Sequence, residues 1–242
     1  MSISWAEQLG SNQEERLAIL GHEVRLSDSP FVEVIGRIRA ESEYSPLCPA
    51  DGHWNMLLVR LNHKTSLSVW GPMTKARVMP YMADAEFLYI TFKLGTFMPH
   101  LPVRNLLDVG TALPQATNKS FWLNGSAWQF PDYENVDTFV ERLVRAGLLV
   151  RDGIVDAVLQ GRPHELSPRS TQRRFLQATG LTQRYIQHVE RARRAAVLLQ
   201  QGVPVLDAVY EAGYFDQPHM TRSLKHLIGQ TPAQISRVNQ TE

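Results

Sequence analysis

The sequence predicts an α+β protein in two parts, strands first and helices last. Three observations predict it: the spacing of apolar residues, the placement of aromatic residues, and the distribution of charge. Up to Asn135 the apolar residues come in short runs rich in β-branched and aromatic side chains; from Val136 they recur every three or four residues. Of the 21 Phe, Trp and Tyr residues, 15 lie before residue 136. Residues 1–135 carry 11 Lys+Arg against 14 Asp+Glu and residues 136–242 carry 14 against 10, so the net charge of +1 conceals a split of −3 and +4. We therefore expect a β-rich domain over 1–135 and an all-α domain over 136–242, which a chain of 242 residues can accommodate.

Strands are expected in "FVEVIGRIRA" (31–40), "WNMLLVRL" (54–61), "TSLSVWG" (65–71) and "EFLYITFKLG" (86–95), separated by turn material such as "SPLCPADG", "NHK" and "GPMTK". Several short strands at this spacing suggest a small sandwich or barrel. From Leu101 to Tyr133 the pattern weakens, and it reads as loops with a short helix. After Asn135, "VDTFVERLVRAGLLV" places Val136, Phe139, Val140, Leu143 and Val144 on one helical stripe. "DGIVDAVLQG" reads as a short helix closed at Gly161. "LSPRSTQRRFLQATG" opens with Ser167 as cap and Pro168 in the first turn, and Gly180 ends it. Thr182 to about Gln201 reads as one long helix, "PVLDAVYEAG" as a short one, "DQPHMTRSLKHLIG" as one capped by Asp216, and "TPAQISRV" as a last start.

Several classes are excluded by composition. No apolar run approaches the length of a membrane-spanning helix, and the first twenty residues lack the basic-then-apolar order of a secretory signal. The lone Cys48 cannot form an internal disulfide and reads as a small hydrophobe. Together these point to the cytoplasm. His22, His53, His63 and His100 show no His-x-His pair, so no metal site is expected. No phosphate loop, nucleophile elbow or His-Glu-x-x-His stretch occurs either. We expect neither an enzyme nor a cofactor.

Aligning Phe175 with Leu224 superposes Ser167 on Asp216 and brings the helix ending at Gly161 roughly onto the one ending at Gly213. Each unit is then a short helix, a tight turn and a second, capped helix, which is the helix-turn-helix plan. In that plan the N-terminal residues of the second helix reach base edges in the major groove of duplex DNA. Arg169, Gln172 and Arg173 would face outward in the first unit, with Thr171 and Phe175 inward. Gln217, Pro218, His219 and Arg222 would do so in the second, over Met220 and Leu224. Arg suits guanine and Gln suits adenine, while Ser170, Thr221 and Lys225 are better placed for phosphates. From Ser167 to Arg194 seven arginines face one acid, Glu190, the footprint of a polyanion binder. A linker of about 20 residues spans about 30 Å, close to one turn of DNA.

These residues resemble the DNA-binding domain of the AraC/XylS family of transcriptional regulators. The strongest match is "AGYFDQPHMTRSLKHLIGQTPAQI", against the family's Gly-Phe, Asp-Gln, His-Phe-x-Arg, Phe-Lys and Gly-x-Thr-Pro. "LSPRSTQRRFLQATG" matches its first recognition helix and "ERARRAAVLL" its linker. Met220 and Leu224 replace two phenylalanines, and Val209 a small alanine. The resemblance implies a double helix-turn-helix regulator, usually an activator that contacts RNA polymerase. It also implies a first domain, often cupin-like, that binds a small molecule or forms a homodimer. Trp54, Trp70 and Tyr89, alternating on expected strands, are the candidate lining of a pocket for a small, weakly charged effector. The competing reading is a ligand-binding or enzymatic β-barrel whose helical tail binds protein.

Overall fold

The structure, a computed structural model, describes residues 22–237. The stretch read above for a secretory signal lies outside them. Among the described residues no helix is long and apolar enough to cross a membrane.

Six antiparallel strands form the main sheet, in the order β1 (Glu23–Leu26), β2 (Val32–Arg39), β7 (Glu86–Phe92), β4 (Asn55–Leu61), β5 (Lys64–Trp70) and β9 (Gly110–Ala112). Four of these are the strands the alternation predicts. The β4–β5 hairpin turns on Asn62 and His63, whose φ angles of 50° and 62° match the twist of a tight two-residue loop. Two short pairs flank the sheet: β3 (Leu47–Cys48) with β6 (Arg77–Val78), and β8 (Thr96–Phe97) with β13 (Val150–Arg151). Burial and the nearby Asp51 carboxylate push the Cys48 thiol up to about 11, so at neutral pH it stays protonated.

The stretch 101–133, expected to be loops and a short helix, holds more β-structure than that. A 3₁₀ turn (Val103–Leu106) precedes β9, and a three-stranded meander follows: β10 (Gln115–Thr117), β11 (Ser120–Leu123) and β12 (Ser126–Gln129). The β11–β12 turn is Asn124-Gly125, both at positive φ, a strong hairpin signal that stands in the sequence. The main sheet is open, with β1 and β9 at its edges. The meander packs on one face, so of the two expected forms the small sandwich describes it better. Between the layers Ile35, Met56, Leu58, Leu67 and Ile90 meet Phe121, Leu123 and Trp128.

The first helix, α1 (Val136–Arg145), closes this same core. Its buried Val136, Phe139, Val140 and Leu143 pack with the sheet, as do Leu148 and Leu149 just after it. Periodicity changes at Val136, but packing changes only after β13. An isolated amphipathic helix must bury its stripe somewhere, and here the sheet is the surface it finds.

Beyond β13 come α2 (Gly153–Leu159), α3 (Pro168–Thr179), α4 (Gln183–Gln200), α5 (Val205–Glu211), α6 (Gln217–Leu227) and α7 (Pro232–Arg237). They form two units joined by α4, which at 18 residues is about 27 Å long. The first is centred on Val155, Phe175, Ala178, Leu181 and Ile186. The second is centred on Val189, Leu199, Val209, Tyr214, Met220 and Leu224. Neither core is made of helices alone. Leu94, Phe97 and Leu107 pack into the first, and Ala50 is fully buried in the second.

Candidate nucleic-acid interface

Both candidate reading helices begin as the sequence specifies. The Ser167 hydroxyl accepts from the Ser170 N–H at 3.3 Å, and the Asp216 carboxylate from the His219 N–H at 2.6 Å. Each helix carries Pro within its first two positions, where a missing N–H leaves no helical bond unmade. Thr171 and Phe175 point inward in α3, as do Met220 and Leu224 in α6. Arg169, Gln172 and Arg173 are exposed on α3, and Gln217, Pro218, Arg222 and Lys225 on α6. Ser170, His219 and Thr221 are half-buried. Met220 is completely buried where the family has an aromatic ring, and Val209 is buried in the same core.

The seven arginines between Ser167 and Arg194 do not form one surface. Arg174 gives two charge-assisted hydrogen bonds to Asp152, at 2.9 and 3.0 Å. Asp152 is also the cap of α2, accepting from the Ile154 N–H, so this ion pair ties the two helices of the first unit together. Arg193 is 7 % exposed, bonds the Ala50 carbonyl at 3.2 Å and lies 3.5 Å from Glu190. These two cations hold the fold. Arg169, Arg173, Arg184, Arg191 and Arg194 make no ion pair among the described residues.

Where α4 meets the start of α6, rings and cations gather. The Arg191 guanidinium stands over the Tyr214 ring at 5.6 Å. The Tyr214 and His219 rings meet edge to face at 5.1 Å, and the Tyr214 hydroxyl is 2.8 Å from Ser223 Oγ. Burial, then the charges of Arg191, Arg184 and His219, hold His188 below its ordinary pKa. Beside Tyr214, Phe215 is 89 % exposed. The sequence reading singled out neither the Arg184–His188–Arg191 stripe nor Phe215. The stripe's i, i+4, i+7 spacing was available to find it.

The residues proposed for an effector pocket are dispersed. Trp54 stacks on Phe92 at 3.9 Å and donates to the Thr96 carbonyl at 2.6 Å, a core residue with its polar atom satisfied. Trp70 donates to Ser68 Oγ at 2.9 Å and lies under the Arg77 guanidinium. Tyr89 lies on the opposite face of the sheet from Trp54, across Gly36, where any Cβ would overlap its ring, and its hydroxyl meets His22 Nε2 at 2.8 Å. The structure does not bring these three together. A cavity of about 460 Å³ lies elsewhere, between the two halves of the chain. Phe97, Met98, Pro99, Pro102 and Arg104 line it from one side, and Arg173, Leu176 and Gln177 of α3 from the other. Among the described residues no three His, Cys, Asp or Glu side chains gather closely enough to hold a metal ion.

A family profile described as a helix-turn-helix domain matches residues 164–237, from just before α3 to the end of α7. No curated relative matches the chain. Among solved structures it is similar to ToxT from Vibrio cholerae in its P21 crystal form, at 11 % identity over 89 % of this chain and 98 % of that one, with a TM-score of 0.36. It is also similar to an apo variant of ToxT (10 % identity, 88 % and 99 % covered, TM-score 0.37) and to ToxT bound to an unsaturated fatty acid (10 %, 88 % and 94 %, TM-score 0.32). The matched segment and the paired capped units make residues 164–237 of this chain a helix-turn-helix domain, and the protein a DNA-binding transcriptional regulator.

Proposed function

We propose that this regulator inserts α3 and α6 into successive major grooves on one face of the duplex, so that a single chain reads two half-sites. The observation that carries this is the pairing of two capped helices, each with an exposed polar face, across a linker of about 27 Å. Arg169, Gln172 and Arg173 read bases in the first groove; Gln217, Pro218, His219 and Arg222 meet them in the second. Ser170, Thr221 and Lys225 hold phosphates. Activation through RNA polymerase and homodimerisation belong to the same reading on the support of the family resemblance, and a cytoplasmic location and the absence of catalysis on that of the composition and motifs of the sequence. Mobility shifts against genomic fragments at several salt concentrations test the reading. Sequence-selective binding and a footprint over two major grooves are expected; indifference to sequence, or no binding below micromolar protein, would overturn it.

The residues up to about Asp152 act as the sensing part. We place its effector site in the cavity between the halves, because that cavity has room for a small molecule and touches a reading helix. Two arginines at its wall, Arg104 and Arg173, favour an acidic effector with an apolar body over the weakly charged one that the aromatic strands suggest.

A further inference from the structure

The linker helix of a double helix-turn-helix domain needs only to hold two readers apart, and for that an apolar inner face suffices. Here α4 presents more. Arg184, His188 and Arg191 stand at i, i+4 and i+7, one above another on its outer side, none of them in an ion pair among the described residues. The two guanidinium groups flank the His188 ring and oppose its protonation, and a solvated helix face ordinarily intersperses acids to relieve such a row. The acid next to them, Glu190, is turned to the buried Arg193 instead.

The stripe also has a fixed neighbour. Arg191 is steadied over Tyr214, Tyr214 meets His219, and Tyr214 is held in turn by Ser223 on α6. His219 lies in the first turn of α6, where the unpaired N–H groups give the helix its positive end. The nearby Asp216 carboxylate is taken up by the His219 N–H. The result is a concentration of positive charge from two helices, held by an aromatic ring between them and supplied with no counter-ion by the fold.

We propose that Arg184, His188 and Arg191 of α4, with His219 of α6, which then faces the backbone and not a base, form a binding site for a backbone phosphate of the DNA beside the second reading helix. The proposal rests on the DNA-binding reading above and extends it to the linker, which becomes part of the contact surface. The Arg191–Tyr214–His219 contact gives the phosphate grip a second consequence: α4 and α6 are clasped by the same anion, which fixes the angle at which the second reader enters its groove. His188 and His219 donate ring N–H groups to the phosphate, and the two guanidinium groups supply charge and further donors.

Because a phosphate contact is blind to sequence, the test needs no operator. The full chain is titrated with a 30-base-pair duplex of arbitrary sequence, followed by fluorescence anisotropy from 50 to 200 mM NaCl. Each phosphate released from its counter-ions contributes about 0.9 to the slope of log affinity against log salt. Arg184→Gln and Arg191→Gln should each weaken binding at low salt and lower that slope by about 1. Arg145→Gln, a charge-matched change on α1, should leave the slope alone. Far-ultraviolet circular dichroism checks that each variant is folded, and Arg184→Lys should restore most of the slope, since a lysine also serves a phosphate. Wild-type slopes in both Gln variants would overturn the proposal while leaving the DNA-binding reading intact. Failure of the wild-type chain to bind the duplex would overturn both.

Discussion

Seven arginines of one segment divide by what they touch. Arg173 and Arg222, exposed on the two reading helices, should each lose about 1–3 kcal/mol of DNA binding on replacement by Ala, with relaxed selectivity confined to one half-site. A uniform loss over all sequences would assign them to phosphates instead. Arg174, committed to Asp152, should on replacement affect thermal stability more than selectivity. Histidine adds a pH signature. His188 is held below 6.5 by burial and by Arg191, Arg184 and His219, all of which oppose its protonation. Its contribution to stability is therefore complete above the unfolded value near 6.5 and is lost as pH falls through the lower folded value. A bound phosphate reverses the preference and draws a proton onto the ring. From pH 7.5 to 6, affinity for duplex should rise while the free protein's melting temperature falls. His188→Gln should flatten both trends; unchanged trends in that variant would show that the ring does not meet phosphate.

At the scale of elements, what was legible in the sequence is what local chemistry determines. Ser167, Thr182, Asp216 and Thr231 cap helices because each accepts from an N–H within the first turn, a contact that three residues decide. Removing one should cost about 1 kcal/mol, so Ser167→Ala and Asp216→Ala should each lower stability by about that much in urea titrations. Phe175→Ala, which empties the centre of the first unit, should cost about 3–5 kcal/mol. A Phe175→Ala variant as stable as wild type would mean the first unit has no core of its own. The inward and outward faces of α3 and α6 were legible for the same reason, since 3.6-residue spacing sorts Phe175 and Leu224 inward and Arg173 and Arg222 outward. Less was legible where partners are distant in sequence. β10 to β12 are only three or four residues long and take their stability from the sheet they cover, though Asn124-Gly125 marked their turn. The α1 stripe announced a helix without saying that its partner is the sheet. Trp54, Trp70 and Tyr89 share a strand-like pattern, yet neighbouring strands put Tyr89 on the opposite face from Trp54, which periodicity within one strand cannot reveal.

In the whole molecule the front half grips both readers, and this governs how the protein should unfold. The Ala50 N–H donates to the Leu227 carbonyl at 2.7 Å, and the Ala76 N–H to the His226 carbonyl at 2.9 Å. Last-turn carbonyls of a helix lack partners within it, so two loops of the β-rich half complete the C-terminal end of α6. Arg193 of the linker holds Ala50 from its other side, and the Tyr185 hydroxyl donates to the Thr74 carbonyl. At the first unit, Gly180 packs against the backbone of Val103 and Arg104, so close that a side chain there would crowd it. Strand β13, directly before α2, is paired into the front half through β8. Severing the halves would strand the buried Arg193 without its carbonyl and uncover Ala50, Phe97 and Leu107. Losing that hydrogen bond and exposing those apolar side chains both cost free energy, so the two halves should not melt separately. Calorimetry of the full chain should show one transition whose van't Hoff and calorimetric enthalpies agree. The fragment 153–242 alone should melt lower than the whole protein and with less cooperativity. Tyr185→Phe, which removes one tie and leaves the helical core filled, should narrow that difference by lowering the melting temperature of the full chain only. Two separate transitions in the wild-type scan would show that the readers are held by their linker alone, and an effector in the cavity would then have no mechanical route to α6.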